Sequence, residues 1–289
     1  MCRFICYLGK TIIPHDLVFN TEHSLINQSK NAKKRADPVN GDGFGLGWYP
    51  IFDDPEPGVF KSIEPAWNNR NLYYVSSKLQ TRLFFAHIRD ASPEIPVTQT
   101  NCHPFNYGPF LWMHNGWLQE FAKIKRLFLQ SLTDRAFLTI QGNTDSEYAF
   151  ALFLDEIDFN YQASETEIEN ALLAVIDKIY WMRIKASLQS NAQMNFAVSN
   201  GKSIFVSRFS TILNQQPASL FYFEGKMTCC EGGFKFQKDQ SGADGNIIVV
   251  ASEPLSSQSD CWQRVERNHY LKIDNENSVK MIAMPGVVD

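Results

Sequence analysis

Residues 195–208 read NFAVSNGKSIFVSR. Two short runs rich in β-branched and aromatic residues flank Asn200-Gly201. Asn-Gly between such runs is the strongest short hairpin signal, because both central positions of a type I′ turn need positive φ. The hairpin predicts antiparallel strands late in the chain. Downstream, SLFYFE (219–224) and NIIVVAS (246–252) read as further strands.

Upstream of the hairpin the pattern changes period. Leu118, Phe121, Ile124, Leu127 and Phe128 stand at helical spacing over 118–131. Thr144 with Glu147 predicts a capping box before a run that is apolar on all sides through Leu154. Ser164 with Glu167 predicts a second box. Ile168, Leu172, Val175, Ile176 and Ile179 then form one amphipathic stripe. Earlier still, residues 2–8, FGLGWY (44–49), LFFAHI (83–88) and FLWMH (110–114) read as strands, and DDPEPG (53–58) as a turn. Residues 29–41, SKNAKKRADPVNG, read as an exposed basic loop. The order is strands, helices, strands, which predicts a layered α+β fold rather than βαβ alternation. Without repeat or linker, one domain over 1–289 is expected.

Composition narrows the function classes. The 289 residues carry 27 Lys+Arg against 31 Asp+Glu, a net charge of −4. That balance argues against a nucleic-acid binder built on a basic face. Apolar residues make up 44% with 22 Phe, enough for a large core. No apolar run reaches the roughly 18–20 residues of a membrane helix, so no membrane partner is expected. Residues 4–8 are too short for a secretory apolar core, so a cytoplasmic location with reduced thiols is expected for the six cysteines. With no C-x-x-C or H-x-x-x-H pair, no metal site is expected, and Cys6 and Cys102 read as buried thiols.

Cys2 carries the sharpest reading. Trimming of Met1 would expose its α-amino group, whose reference pKa is about 7.7–8.0. One residue would then hold both nucleophile and base. Position alone favours a buried cysteine at a strand start. Arg89, after the strand 83–88, is either a solvated surface charge or a fork for a carboxylate. Asn115 and Gly116 are either a polar turn or two oxyanion donors. Asp145 is either a first-turn acid favoured by the helix dipole or an anchor for an ammonium group. Asn40 to Gly45 is glycine-rich but lacks the Lys-Ser/Thr end of a phosphate loop and precedes a strand, so it reads as a turn. His87 and His103 read as hydrogen-bonded structural histidines. Taken together, the functional readings describe a thiol, its own amine, an oxyanion hole and a clamp for an amino acid. A thiol attacking the side-chain acyl group of an amino acid implies a γ-glutamyl amide.

Six ordered segments carry a family resemblance: MCRF (1–4), NGDGFGLGWY (40–49), FAHIRDAS (85–92), NCHPF (101–105), HNG (114–116) and GNTDSE (142–147). The chain resembles the class II glutamine amidotransferases of the N-terminal-nucleophile hydrolase superfamily. A narrower resemblance runs through HSLINQS (23–29), EPAWNN (64–69), TDSEYAFALFLD (144–155), NFAVSNG (195–201) and VVASEPL (249–255). It is to the fungal glutathione-degrading amidotransferase-like group and to the ergothioneine-pathway γ-glutamyl hydrolases.

The resemblance implies a four-layer α/β/β/α sandwich with two antiparallel sheets. It implies Cys2 as nucleophile, Asn115 and Gly116 as oxyanion hole, Arg89 on the α-carboxylate and Asp145 on the α-amino group. No cofactor is implied. A small γ-glutamyl substrate such as glutathione is expected, and a metallopeptidase-like partner subunit is implied by the fungal group. Two other functions remain open. One is a glutaminase subunit delivering ammonia to a synthetase. The other is a non-catalytic scaffold subunit.

Overall fold

The computed structural model describes residues 2–34, 39–92, 95–212, 215–230, 233–239 and 246–285. The strands are β1 (Arg3–Ile12), β2 (Phe44–Trp48), β3 (Gly58–Ser62), β4 (Thr81–Ile88), β5 (Phe105–Tyr107), β6 (Phe110–Leu118) and β7 (Ala192–Ser199). They continue as β8 (Ile204–Ser210), β9 (Phe221–Cys230), β10 (Gly233–Lys238), β11 (Ile247–Ala251), β12 (Gln263–Arg264), β13 (His269–Ile273) and β14 (Val279–Ala283). The α-helices are α1 (His15–Val18), α2 (Leu25–Lys30), α3 (Arg70–Ser76), α4 (Phe121–Ser131), α5 (Asp134–Phe137), α6 (Asp145–Glu156) and α7 (Glu165–Lys185).

Two antiparallel sheets result. One runs β10-β9-β11-β1-β4-β2-β3, with β12 also on β9, and the other runs β14-β13-β8-β7-β6-β5. Side chains alternate across each strand, so each sheet has two packed faces. Ile5 and Tyr7 of β1 join the apolar layer that also holds Leu17, Val18, Leu25, Ile26 and Leu72 from α1, α2 and α3. Phe4, Cys6 and Leu8 join the layer between the sheets, with Leu111, Met113, Ala197 and Val206 from the second sheet. Trp112, Phe196 and Val198 face the third layer, under α4, α6 and α7. Three apolar layers separate four layers of structure. This is the α/β/β/α sandwich of the N-terminal-nucleophile hydrolases.

Most predicted elements stand where the periodicity put them. The hairpin does join β7 and β8, but through the four residues 200–203 between Ser199 and Ile204. Gly201 has φ +85° and Asn200 does not have positive φ, so the turn is not type I′. Ser164 and Glu167 form the reciprocal box at the start of α7. The free thiols Cys6 and Cys102 are buried. Three expectations need correction. First, Thr144 does cap α6, but the Glu147 side chain does not return to it. Its carboxylate accepts from the backbone N–H groups of Gln141 and Gly142 at 2.8 and 2.7 Å. Second, the loop 29–41 is not wholly exposed. Ser29, Ala32 and Asn40 are buried, and Ser29 and Lys30 end α2; residues 35–38 lie outside the described residues. Third, His114-Asn115-Gly116 does not follow a strand. It lies inside β6, paired residue for residue with β7 through Asn115↔Asn195 and Gly116↔Met194. Continuous pairing in a central strand overrides the turn preference of Asn-Gly.

Candidate active site

Strand parity decides what meets Cys2. Phe4, Cys6 and Leu8 face the gap between the sheets, so Cys2 faces it too. On β4 the residues Leu83 and Phe85 face the same gap, which puts His87 and, by extension, Arg89 on that side. Arg3 pairs with Ile88, so Cys2 and Arg89 lie just past the last paired residues of neighbouring strands. The Cys2 thiol accepts the Asp90 backbone N–H at 3.4 Å. Burial pushes this thiol above its ordinary range, while the Asp90 N–H and the Arg89 guanidinium oppose the rise.

Arg89 is not a solvated surface charge. It is 3% exposed. Its backbone N–H donates to Gly43 O at 2.8 Å and one guanidinium nitrogen reaches Pro96 O at 3.4 Å. The other terminal nitrogen is buried without a hydrogen-bond partner among the described residues. An unpaired buried guanidinium N–H is costly, and a carboxylate is the group whose geometry would satisfy it.

Asn115 belongs to the face of β6 that holds Leu111 and Met113, so it points into the same gap. Its amide nitrogen donates to Ser252 Oγ at 3.1 Å. That hydroxyl also accepts from Phe4 N at 3.0 Å, two residues from Cys2, and Ser252 N returns to Phe4 O at 3.1 Å. Ser252 therefore stitches β6 to β1, the strand that follows Cys2. An amide nitrogen carries two N–H groups, so one remains for a ligand. Gly116 is required sterically: an added Cβ would lie 1.9 Å from Gln193 O.

Asp145 opens α6 and reaches the end of β6. Its Oδ2 accepts from Leu118 N at 2.8 Å and its Oδ1 from Ser146 N at 2.8 Å. The next residue, Ser146, meets His114 Nδ1 at 2.9 Å. His114 Nε2 lies 2.9 Å from Gln193 O, an acceptor only, so Nε2 carries the proton and Nδ1 accepts from Ser146. Burial holds the His114 pKa below its usual range, with Asp145 opposing. His114 thus locks the start of α6 against β6 as a neutral spacer.

His87 Nε2 donates to His114 O at 3.2 Å, across the gap between sheets. Burial pushes its pKa down to about 3. The His103 ring lies against His87 with centroids 4.2 Å apart and planes tilted by 33°. It corrects an expectation, because both its nitrogens are buried with no hydrogen-bond partner among the described residues. Glycines of β2 accommodate it: a Cβ at Gly45 would lie 2.0 Å from His103 O.

Cys2 and Arg89 therefore meet where β1 starts and β4 ends, Asn115 is tied to β1 through Ser252, and Asp145 stands where β6 meets α6. Sequence reasoning assigned no role to Ser252, although it sits in the VVASEPL segment that carried part of the resemblance. Its hydroxyl role depends on the β1–β11 register, which has no local signature. Among the described residues no group of His, Cys, Asp and Glu could hold a metal ion, and no helix is long and apolar enough to cross a membrane.

The sequence matches the family profile of the class-II glutamine amidotransferases over residues 15–287. The chain belongs to this family. Among relatives of this amidotransferase-family chain, the "probable glutamine amidotransferase DUG3" of Saccharomyces cerevisiae is 37% identical over 295 residues, covering 96% of this chain and 82% of the relative. The γ-glutamyl-hercynylcysteine sulfoxide hydrolase of Mycobacterium tuberculosis is 27% identical, covering 94% and 93%. In fold, the chain superposes on a class-II domain protein from Silicibacter pomeroyi with TM-score 0.65 and 22% identity, covering 98% and 99%. It superposes on the phosphoribosylpyrophosphate amidotransferase of Bacillus subtilis with TM-score 0.61 and 14% identity, covering 99% of this chain and 50% of that one. The protein is thus an enzyme of the class-II glutamine amidotransferase type, with an N-terminal cysteine nucleophile.

Proposed function

We propose that the chain hydrolyses the γ-glutamyl amide bond of glutathione or a related γ-glutamyl compound and releases glutamate. The carrying observation is the Cys2 thiol on the Asp90 N–H, beside a buried Arg89 with one unpartnered nitrogen. Arg89 holds the substrate α-carboxylate and Asp145 its α-ammonium group. Burial disfavours a standing thiolate, so a local base must take the thiol proton. Among the described residues, the thiol's hydrogen-bond contacts are with the Asp90 backbone, not an imidazole. The α-amino group freed by removal of Met1 fills that role.

In this reading the amine takes the thiol proton and sulfur attacks the γ-carbonyl carbon. Asn115 Nδ2 and the Gly116 N–H stabilise the oxyanion. The amine then gives its proton to the leaving nitrogen as the C–N bond breaks, leaving a γ-glutamyl thioester. Water, deprotonated by the same amine, displaces the thiol and frees glutamate. No cofactor takes part.

Hydrolysis of a peptide-sized amide is favoured over ammonia delivery by Trp117. It is 48% exposed and shares the pleat face of Asn115; in this reading the leaving group lies on its side and reaches solvent there. The names of two relatives point the same way: both are γ-glutamyl-hercynylcysteine sulfoxide hydrolases. The test is glutamate release from glutathione and from glutamine by Met1-trimmed protein alone, with Cys2→Ala as control. Faster release from glutathione, abolished in Cys2→Ala, is expected. Faster release from glutamine would make the chain an ammonia-delivering subunit. Release that survives Cys2→Ala would remove the mechanism. The metallopeptidase-like partner is then tested by whether such a subunit raises the rate.

A further inference from the structure

Directly behind the nucleophile lies a buried ion pair that the mechanism does not use. Arg3 is 1% exposed and its Nε and one terminal nitrogen both lie 2.9 Å from Glu253 Oε1. The other terminal nitrogen donates to the Cys2 carbonyl at 2.8 Å. Glu253 is also buried, and it accepts the backbone N–H groups of Lys33 and Lys34, each at 2.9 Å. The pair is a cross-strand one: extending the β1–β11 register Ile5↔Ala251 by two places sets Arg3 opposite Glu253.

Such a pair is a poor choice for stability alone. Each buried charge costs several kcal/mol of desolvation, and apolar residues of similar volume usually do as well or better. Its position suggests another use. The ladder of β1 begins at Arg3↔Ile88, so residue 2 has no ladder partner. Once Met1 is gone, residue 2 is also the chain end, and ends fray unless tied down. Its carbonyl is the remaining backbone handle, and Arg3 holds it. Holding that carbonyl limits rotation about the Cys2 ψ bond, and so fixes where the amine and thiol stand.

We infer that Arg3 and Glu253 are positioning residues for the nucleophile, with Glu253 also tying the chain at Lys33 and Lys34 to the same anchor. The inference rests on the reading of Cys2 as nucleophile. The probe is a diazoketone analogue of the γ-glutamyl group, which alkylates a correctly placed thiol whatever the natural leaving group. Wild type, Arg3→Met/Glu253→Leu and Arg3→Lys are compared, with intact mass confirming Met1 removal in each. The double variant is expected to keep or raise Tm. Its maximal inactivation rate should fall ~10–100-fold while half-saturation stays within about twofold, because misplacement by about 1 Å costs rate rather than binding. Arg3→Lys, which keeps the charge opposite Glu253 but not the fork, should fall in the same direction. It carries the test alone if the double variant does not fold. Labelled wild type with equally fast variants overturns the positioning role, and so does a lower Tm with unchanged rate per folded molecule. Unlabelled wild type overturns the nucleophile reading and this inference with it.

Discussion

The gap between the two sheets has two ends of opposite character. At one end it is filled by Leu8, Tyr49, Leu83, Leu111, Ile204 and Ile273. Tyr49 closes that end, its hydroxyl 2.7 Å from Pro109 O and 3.0 Å from Ser199 O. At the other end the same strands present Cys2, His87, Asn115, Asn195 and Ser252, all buried. The apolar end satisfies itself. The polar end leaves Arg89 Nη1, Asn115 Oδ1, Asn195 Oδ1 and the His87 Nδ1 buried without hydrogen-bond partners among the described residues. Each such atom costs about 1–3 kcal/mol. The difference teaches that one end holds the sandwich together, while the other is kept incomplete for a substrate to finish.

The sharpest way to break this division is Leu111→Ala, at the apolar end. It should cost about 2–5 kcal/mol in urea unfolding, with glutamate release per folded molecule unchanged. A matching fall in kcat would show that the two ends are not separable. Asn115→Ala should do the reverse. Its kcat should drop by ~10²–10³, or about 2.7–4 kcal/mol of transition-state stabilisation, with a smaller loss in unfolding free energy.

The third prediction concerns pH. Folded His87 titrates at about 3, against about 6.5 when unfolded. Between those values the unfolded state binds the extra proton, so stability is lost as pH falls below about 6.5. At about pH 5 the contribution of His87 is of the order of 2 kcal/mol, and His103 and His114 act in the same direction. Unfolding curves at about pH 7, 6 and 5 measure the slope, and His87→Gln should flatten it. The smallest effect is expected for Arg89→Lys. It exchanges a bidentate fork for a point charge, so KM should rise about tenfold with kcat nearly kept. A fall confined to kcat would move Arg89 from clamp to another role.

Much of the fold was legible. The hairpin at Asn200-Gly201 and the box at Ser164/Glu167 were readable because each depends on a few neighbouring residues. The Glu147 side chain was misread because the same carboxylate had closer donors at Gln141 and Gly142 once the preceding loop folded back. The HNG segment was misread locally because Asn-Gly favours turns, whereas the ladder with β7 comes from residues 192–199, far along the chain. His103 was expected to be hydrogen-bonded. It is instead enclosed by His87, Phe105 and the glycine-bearing face of β2.

By itself the sequence determined which chemical groups the protein owns and which elements carry them. Helical and strand periodicity, capping and turn chemistry all act over a few residues, and the six ordered motifs supplied the family. Only the tertiary structure decided that Arg89 is buried, that Asn115 shares a hydroxyl with the nucleophile strand and that Arg3 reaches back to the Cys2 carbonyl. Those facts rest on strand register, where a shift of one residue sends every side chain to the opposite face. Register is set by partners far apart along the chain, as in Arg3↔Ile88, Asn115↔Asn195 and Ile5↔Ala251, and no short stretch of sequence records it.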